Sequence, residues 1–320
     1  MTSPPKLTFE QYETVHREFY SDIIFDTPMG WGEGALPLNV RECMAKKNAD
    51  AGYAVNMYSR IAHARCTALR LDELMKKEAQ LPFFAIDLVS ADHMVTRSDA
   101  YKIDLKTVKK WVRKQLPGAS FIGGIDAAYY YNGELAEVIR PPFISWHTHV
   151  IAWGLTEQEV RALQKKRNSD DPGTFHYWKL DHEEVVSCAM YAIKAPMSEY
   201  CVYLSEIDQL NSETGAATGI HYGKELGELR PGTQAEIAKL LNDRRMDEVL
   251  IAGGGGKRLR RAIFIDAWWL LSEVRRCDYE RKLRSVGMKP LFTPKHDSKA
   301  VRARRIGKPS LNTASAEESI

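Results

Sequence analysis

The stretch that most constrains this chain is Ser145-Trp146-His147-Thr148-His149-Val150-Ile151-Ala152-Trp153-Gly154. Trp146, Val150 and Ile151 suit a pleated, half-buried surface, and Gly154 ends the run. In a strand, residues two apart share a face. His147 and His149 therefore point the same way and can share one cation. Two imidazoles do not fix a metal by themselves, because several cations accept them and a hydrolytic site usually adds oxygen ligands.

The hairpin around this strand supplies the oxygen. Ser120 to Tyr131 reads as a strand, and Asn132-Gly133 is a turn signal. The return strand is Phe143 to Trp153. If the two pair, Asp126 lies across from the histidine segment. The long connection through Glu134–Pro142 leaves the register open, so Glu134 and Glu137 stay as alternative third ligands. A carboxylate beside two imidazoles suits Mg²⁺ or Mn²⁺, with positions left for a phosphate.

Farther along, Asp181 and Glu184 form a capping-box pattern. The helix they open carries Val185, Val186, Ala189 and Met190 and must stop near Pro196. Near its end lies Tyr191-Ala192-Ile193-Lys194. Tyr191 and Lys194 are three apart and share a helical face. A phenol with a pKa of about 10 is a poor nucleophile. A neighbouring lysine favours the phenolate and orients a phosphate, while a metal polarises phosphoryl oxygens. Taken alone, this tyrosine–lysine spacing is a weak signal, and a core tyrosine is the commoner explanation.

From residue 81 the elements run strand (Leu81–Ser90), helix after the cap Asp104, strand, strand, helix after Thr156, strand (Phe175–Leu180) and the helix after Asp181. That order predicts an α+β fold with a central antiparallel sheet covered by helices. Residues 1–80 read as a helical extension, with a capping box at Thr8/Gln11 and a long helix from about Ala51 to Lys77. Residues 206–252 read as helix and loop, 253–294 as a basic helical segment opened by a four-glycine hinge, and 295–320 as a disordered basic tail. Gly253 to Lys257 lacks the spacer and the Ser/Thr of a phosphate loop. His93, His176 and His182 lack the partners of a second H-x-T/S motif. The tyrosines 129–131 with Trp146 and Trp153 are candidates for base stacking, and core packing accounts for at least half of them.

Charge names the partner class. From Lys257 to Lys308 there are sixteen Lys/Arg against five Asp/Glu, whereas residues 1–256 carry 29 against 35, so the overall charge of +3 hides a basic C-terminal third. Such a segment points to a polyanion, nucleic acid first. Cys43, Cys66, Cys188, Cys201 and Cys277 are scattered and form no C-x-x-C pair. That excludes a zinc ribbon and suits a reducing cytosol. No apolar run is long enough to cross a bilayer, and Met1 to Phe9 holds no signal core, so a cytoplasmic protein without a membrane partner is expected.

In its motif order the segment from Phe83 to Tyr203 resembles the HUH (His-hydrophobe-His) endonucleases. The motifs are the strand Phe84-Ala85-Ile86-Asp87-Leu88, the acid in Ile125-Asp126, the pair His147-Thr148-His149 and the later Tyr191-Ala192-Ile193-Lys194. The tyrosine follows the histidines, which is similar to rolling-circle replication initiators and single-strand transposases more than to conjugative relaxases. Thr148 departs from the usual bulky hydrophobe. Ser187 and Ala195 stand where a second tyrosine would lie, so a single-tyrosine type is implied.

The resemblance implies a ferredoxin/RRM-like core with Mg²⁺ or Mn²⁺ on His147, His149 and Asp126. It implies Tyr191 as nucleophile, Lys194 as phosphate-positioning cation, and single-stranded DNA or an origin hairpin as substrate. A host replication helicase or polymerase is the implied partner. The activity expected is DNA nicking and strand transfer through a 5′-phosphotyrosine in rolling-circle replication. The alternatives are a single-strand DNA transposase of the same class and a non-catalytic DNA-binding protein on the same fold.

Overall fold

The structure is a computed structural model that describes residues 8–30, 34–46, 52–78, 80–132, 142–170, 174–194, 198–207, 220–228 and 230–272. It is mixed α/β: a curled, mixed sheet with helices packed around it.

Three helices lead the chain: α1 (Phe9–Asp26), α2 (Leu38–Ala45) and α3 (Met57–Lys77). The capping box expected at Thr8 and Gln11 is present. Helix α3 starts later than about Ala51, because Asn56 is its cap. The Asn56 side chain accepts from the Ser59 amide, and its NH₂ donates to the carbonyls of Cys43 at 2.6 Å and Lys46 at 2.9 Å. One side-chain amide thus starts α3 and ties down the end of α2.

Next come β1 (Phe83–Leu88), β2 (Met94–Thr96), α4 (Leu105–Gln115), β3 (Ser120–Asn132), β4 (Phe143–Trp153), α5 (Glu157–Asp170), β5 (Phe175–Leu180) and α6 (His182–Tyr191). Asp104 caps α4 through the Lys106 amide at 2.9 Å, and the Asp181/Glu184 capping box opens α6. The chain continues through β6 (Ser198–Ile207), β7 (Ile220–Glu228), α7 (Pro231–Asn242), α8 (Met246–Val249), β8 (Leu250–Gly253) and α9 (Gly256–Leu271).

The sheet order is β5-β1-β4-β3-β6-β7, with β2 on β4 and β8 on β3. The expectation of an antiparallel sheet needs one correction: β3 and β6 pair in parallel, while the other pairs are antiparallel. A second correction concerns residues 206–252, read as helix and loop. β7 and β8 belong to the sheet, and the boundary expected near residue 205 falls inside β6. The stretch Ile220–Glu228 (IHYGKELGE) is short of apolar residues and broken by two glycines, so alternation does not reveal it as a strand.

A third correction concerns Gly253–Gly256, expected to be a hinge. Gly253 ends β8 and Gly256 begins α9. A Cβ on Gly256 would lie 1.9 Å from the Phe121 carbonyl oxygen, and one on Gly253 would lie 2.2 Å from the Phe121 ring. These glycines serve close packing against β3.

The core follows from the alternation in the central strands. Trp146, Thr148 and Val150 of β4 are buried on one face, with Phe121 and Ile125 of β3. Burial of each large side chain contributes about 1.5–3 kcal/mol. Trp146, Trp153 and Tyr129 are core residues, so the stacking role considered for them does not hold. The opposite face of β4 carries His147 and His149. Glu134, Glu137 and residues 295–320 lie outside the described residues.

Candidate metal centre

β4 lies between β3 and β1, so His149 has a paired neighbour on both sides and His147 has one on β3. The register places Asp126 of β3 opposite His147, and Asp87 of β1 opposite His149. This pairing fixes the register of β3 on β4; the alternative ligands Glu134 and Glu137 lie outside the described residues. Asp126, His147 and His149 present one ligand atom each, all within 4.8 Å of one another. The two Nε2 atoms are 3.0 Å apart, and Asp126 Oδ2 is 4.0 Å from each.

The other ring nitrogens determine what these atoms can do. His149 Nδ1 lies 2.5 Å from Asp87 Oδ1, and His147 Nδ1 lies 3.2 Å from the Ser145 carbonyl oxygen. Each Nδ1 faces an acceptor, so each carries the proton when the ring is neutral. Both Nε2 lone pairs then face each other and the Asp126 carboxylate. Such an arrangement repels itself unless a cation or proton lies between the three. Burial, with His149 and Lys194 close by, pushes the His147 pKa down to about 4, against the pull of Asp126. Neutral imidazole is the ligand form. Burial would raise Asp126, but Lys194 and the two histidines outweigh it and hold the acid down at about 2. Burial also works against the Asp87 carboxylate, and His149 more than offsets it, so its pKa lies below the usual value. The donor set therefore fits a metal ion.

The tyrosine segment reaches the same place. α6 ends at Tyr191, and a short turn follows, with the amides of Ile193 and Lys194 donating to the carbonyls of Met190 at 3.1 Å and Tyr191 at 3.2 Å. Lys194 thus lies beyond the helix, where the sequence placed it near the helix end. Its Nζ donates to Asp126 Oδ2 at 2.6 Å and lies 5.1 Å from the Tyr191 ring centre. The Tyr191 ring packs edge-on to His149, with centroids 4.9 Å apart. All five residues expected in the site, together with Asp87, form one group.

The phenol differs from expectation. Burial raises its pKa and Lys194 lowers it, while Asp87 and Asp126 raise it further; the outcome is about 12. Tyr191 is therefore protonated at neutral pH despite its lysine. Burial works to lower the Lys194 pKa, but Asp126 outweighs it and raises the pKa above its ordinary value, so it is an ammonium.

Two residues have no role assigned from the sequence. Asp87 enters only within the first-strand motif, and its own signal is a lone charge in an apolar strand. Gly124 lies opposite His149 on β3, and a Cβ there would be 2.1 Å from the Ala192 carbonyl oxygen. A glycine inside a strand signals close backbone approach, and here the approaching backbone is the turn after Tyr191. His176 lies opposite Asp87 on β5. His93 and Trp111 line a separate cleft of about 630 Å³ beside α4, which none of the three ligand residues touches.

No family model, no curated protein and no solved structure matches this chain. Among the described residues, no helix is long and apolar enough to cross a membrane. What the geometry defines is a mixed α/β protein with a buried Asp–His–His group able to hold a metal ion.

Proposed function

We propose that this protein is a metal-dependent single-strand DNA nickase and strand transferase of the HUH type, acting in rolling-circle replication. The observation that carries the reading is the convergence of Tyr191 and Lys194 on the Asp126–His147–His149 group, from an element remote in sequence. The strand order β5-β1-β4-β3, with α4 joining β1 to β3 and α5 joining β4 to β5, supports a ferredoxin/RRM-like core of the split βαβ kind.

A Mg²⁺ or Mn²⁺ ion held by Asp126, His147 and His149 would polarise the scissile phosphate. In the reaction proposed, the Tyr191 hydroxyl oxygen bonds to phosphorus and the bond to the 3′ oxygen breaks. The phenolic proton ends on the leaving 3′ oxygen, so the products are a free 3′-hydroxyl and a 5′-phosphotyrosine. Because the phenol is protonated at neutral pH, proton loss accompanies attack. Lys194 balances phosphate charge, and Asp87 keeps His149 oriented. The phosphotyrosine retains the phosphodiester's energy, so the strand can be rejoined without ATP. Lys257, Arg258 and Arg261, exposed on α9, belong to the basic segment that would grip DNA backbone with strong salt dependence.

The test is incubation with labelled single-stranded origin DNA and Mn²⁺, followed by a denaturing gel and mass spectrometry. A covalent adduct on Tyr191 is expected, absent in Tyr191→Phe and in His147→Ala/His149→Ala. A Tyr191→Phe protein that nicks like wild type would remove the tyrosine from the mechanism. DNA binding without any nicking would favour a non-catalytic binding protein, and cutting restricted to element termini would favour transposition.

A further inference from the structure

Arg60 belongs to α3, far from the metal centre in sequence, and is 3% exposed. Its Nη1 donates to the Lys194 carbonyl at 2.7 Å and to the Ile193 carbonyl at 3.4 Å. Its Nε donates to the Ala54 carbonyl, and the Tyr20 side chain of α1 also hydrogen-bonds to it. No carboxylate closes on Arg60 among the described residues.

A buried cation is normally paired with an anion, because desolvating it is costly. Arg60 instead directs its charge at neutral oxygens, two of which belong to the turn that carries Lys194. That position has an electrostatic reason: the C-terminal end of a helix bears partial negative charge and orphan carbonyls, and α6 ends three residues earlier. The amides of Ala192, Ile193 and Lys194 make three local hydrogen bonds, to the carbonyls of Cys188, Met190 and Tyr191. The turn rests on β3 at Gly124, where no side chain could fit. It also meets Arg60, through the carbonyls of Ile193 and Lys194.

We propose that Arg60 is a positioning residue for the tyrosine–lysine segment, clamping residues 192–194 against β3 so that the Tyr191 ring and the Lys194 ammonium are presented to the metal centre. This rests on the roles proposed for those two residues, and it gives the N-terminal helices a function: they supply the outer jaw of the active site. The planar guanidinium suits the task because its fixed fork reaches several carbonyls at once, whereas an ammonium is a point donor.

Arg60→Met and Arg60→Lys in the full-length chain test this with two independent readouts. In hydrogen–deuterium exchange, the Met variant should speed exchange of the Ile193 and Lys194 amides by about tenfold or more, with β3 and β4 amides little changed. In single-turnover assays with Mn²⁺ and single-stranded DNA, adduct formation should slow by about 10–100-fold, the range expected for an ångström-scale misplacement, with DNA affinity within about twofold of wild type. The Lys variant should fall between wild type and Met in both.

Unchanged exchange at 193–194 would overturn the clamp whether or not the protein cuts DNA. A rate loss matching only the lost folded fraction would overturn it too, as would a Lys variant identical to wild type in both readouts. If the Met variant does not fold, the Lys variant decides alone on the same criteria. A wild-type protein that forms no adduct, yet shows the exchange effect in its variants, would sink the proposed reaction and leave the clamp standing.

Discussion

At His149 the two ring nitrogens have separate duties. Nδ1 meets Asp87, and Nε2 faces His147 and Asp126. Without Asp87 the imidazole could hold its proton on either nitrogen and turn about its χ2 angle, and one metal ligand would be lost for part of the time. An outer carboxylate of this kind typically contributes 10–100-fold in metal affinity. Asp87→Asn keeps the shape and removes the charge, so Mn²⁺ affinity by calorimetry should fall by about 10–100-fold while folding is retained. Affinity equal to wild type would show that Asp87 does not tune the ligand. Thr148, between the histidines, answers to the other face: it is fully buried in the core under the sheet, which is why a side chain with a packing methyl is accepted there.

Among the elements, β4 was the most legible and the turn after α6 the least. β-branched and aromatic residues and a terminal glycine identify β4, and the capping box identifies where α6 begins. The pairing that places Asp126 opposite His147 was not readable, because register across a long connection depends on tertiary packing. Nor could the pattern show that α6 stops at Tyr191 and leaves Lys194 on a turn, since nothing forces a stop before Pro196. That turn depends on a missing side chain. Gly124→Ala would put a Cβ 2.1 Å from the Ala192 carbonyl oxygen, with backbone on both sides of the clash. The turn must then lift off β3, at a cost of about 1–3 kcal/mol. The thermal midpoint should fall accordingly, and adduct formation should fall by more than the loss of folded protein explains. A Gly124→Ala protein that melts and reacts like wild type would mean the turn does not rest on β3.

At the scale of the whole molecule, the N-terminal helices are part of the core that the sheet shares. α3 is buried continuously from Met57 to Leu69, including Ser59, Arg60, His63, Arg65 and Thr67. Some of its polar groups find partners on the helix itself: Thr67 donates to the His63 carbonyl at 2.8 Å, and His63 Nδ1 to the Ser59 carbonyl at 2.7 Å. That burial has a consequence in acid. Desolvation pushes the pKa of His63 down to about 4 and that of His16 in α1 down to about 3, the latter against a hydrogen bond to the Tyr12 carbonyl. Both folded values lie below the value of about 6.5 expected in the unfolded chain. The unfolded state therefore binds protons first as pH falls, and stability is full above about 6.5 and drains away down to the folded pKa values. Each histidine accounts for roughly 3 kcal/mol or more over that span, out of a total that is usually about 5–15 kcal/mol. Urea unfolding at a series of pH values should show stability level near neutrality, falling from about pH 6.5, and largely gone near pH 4. The metal ligand His147, also lowered to about 4, adds to the same fall when no metal is bound, so the curve is compared in chelator throughout, and His63→Asn should flatten part of it. Stability that stays constant from pH 7 to pH 5 would mean that these two rings are not held neutral inside the fold.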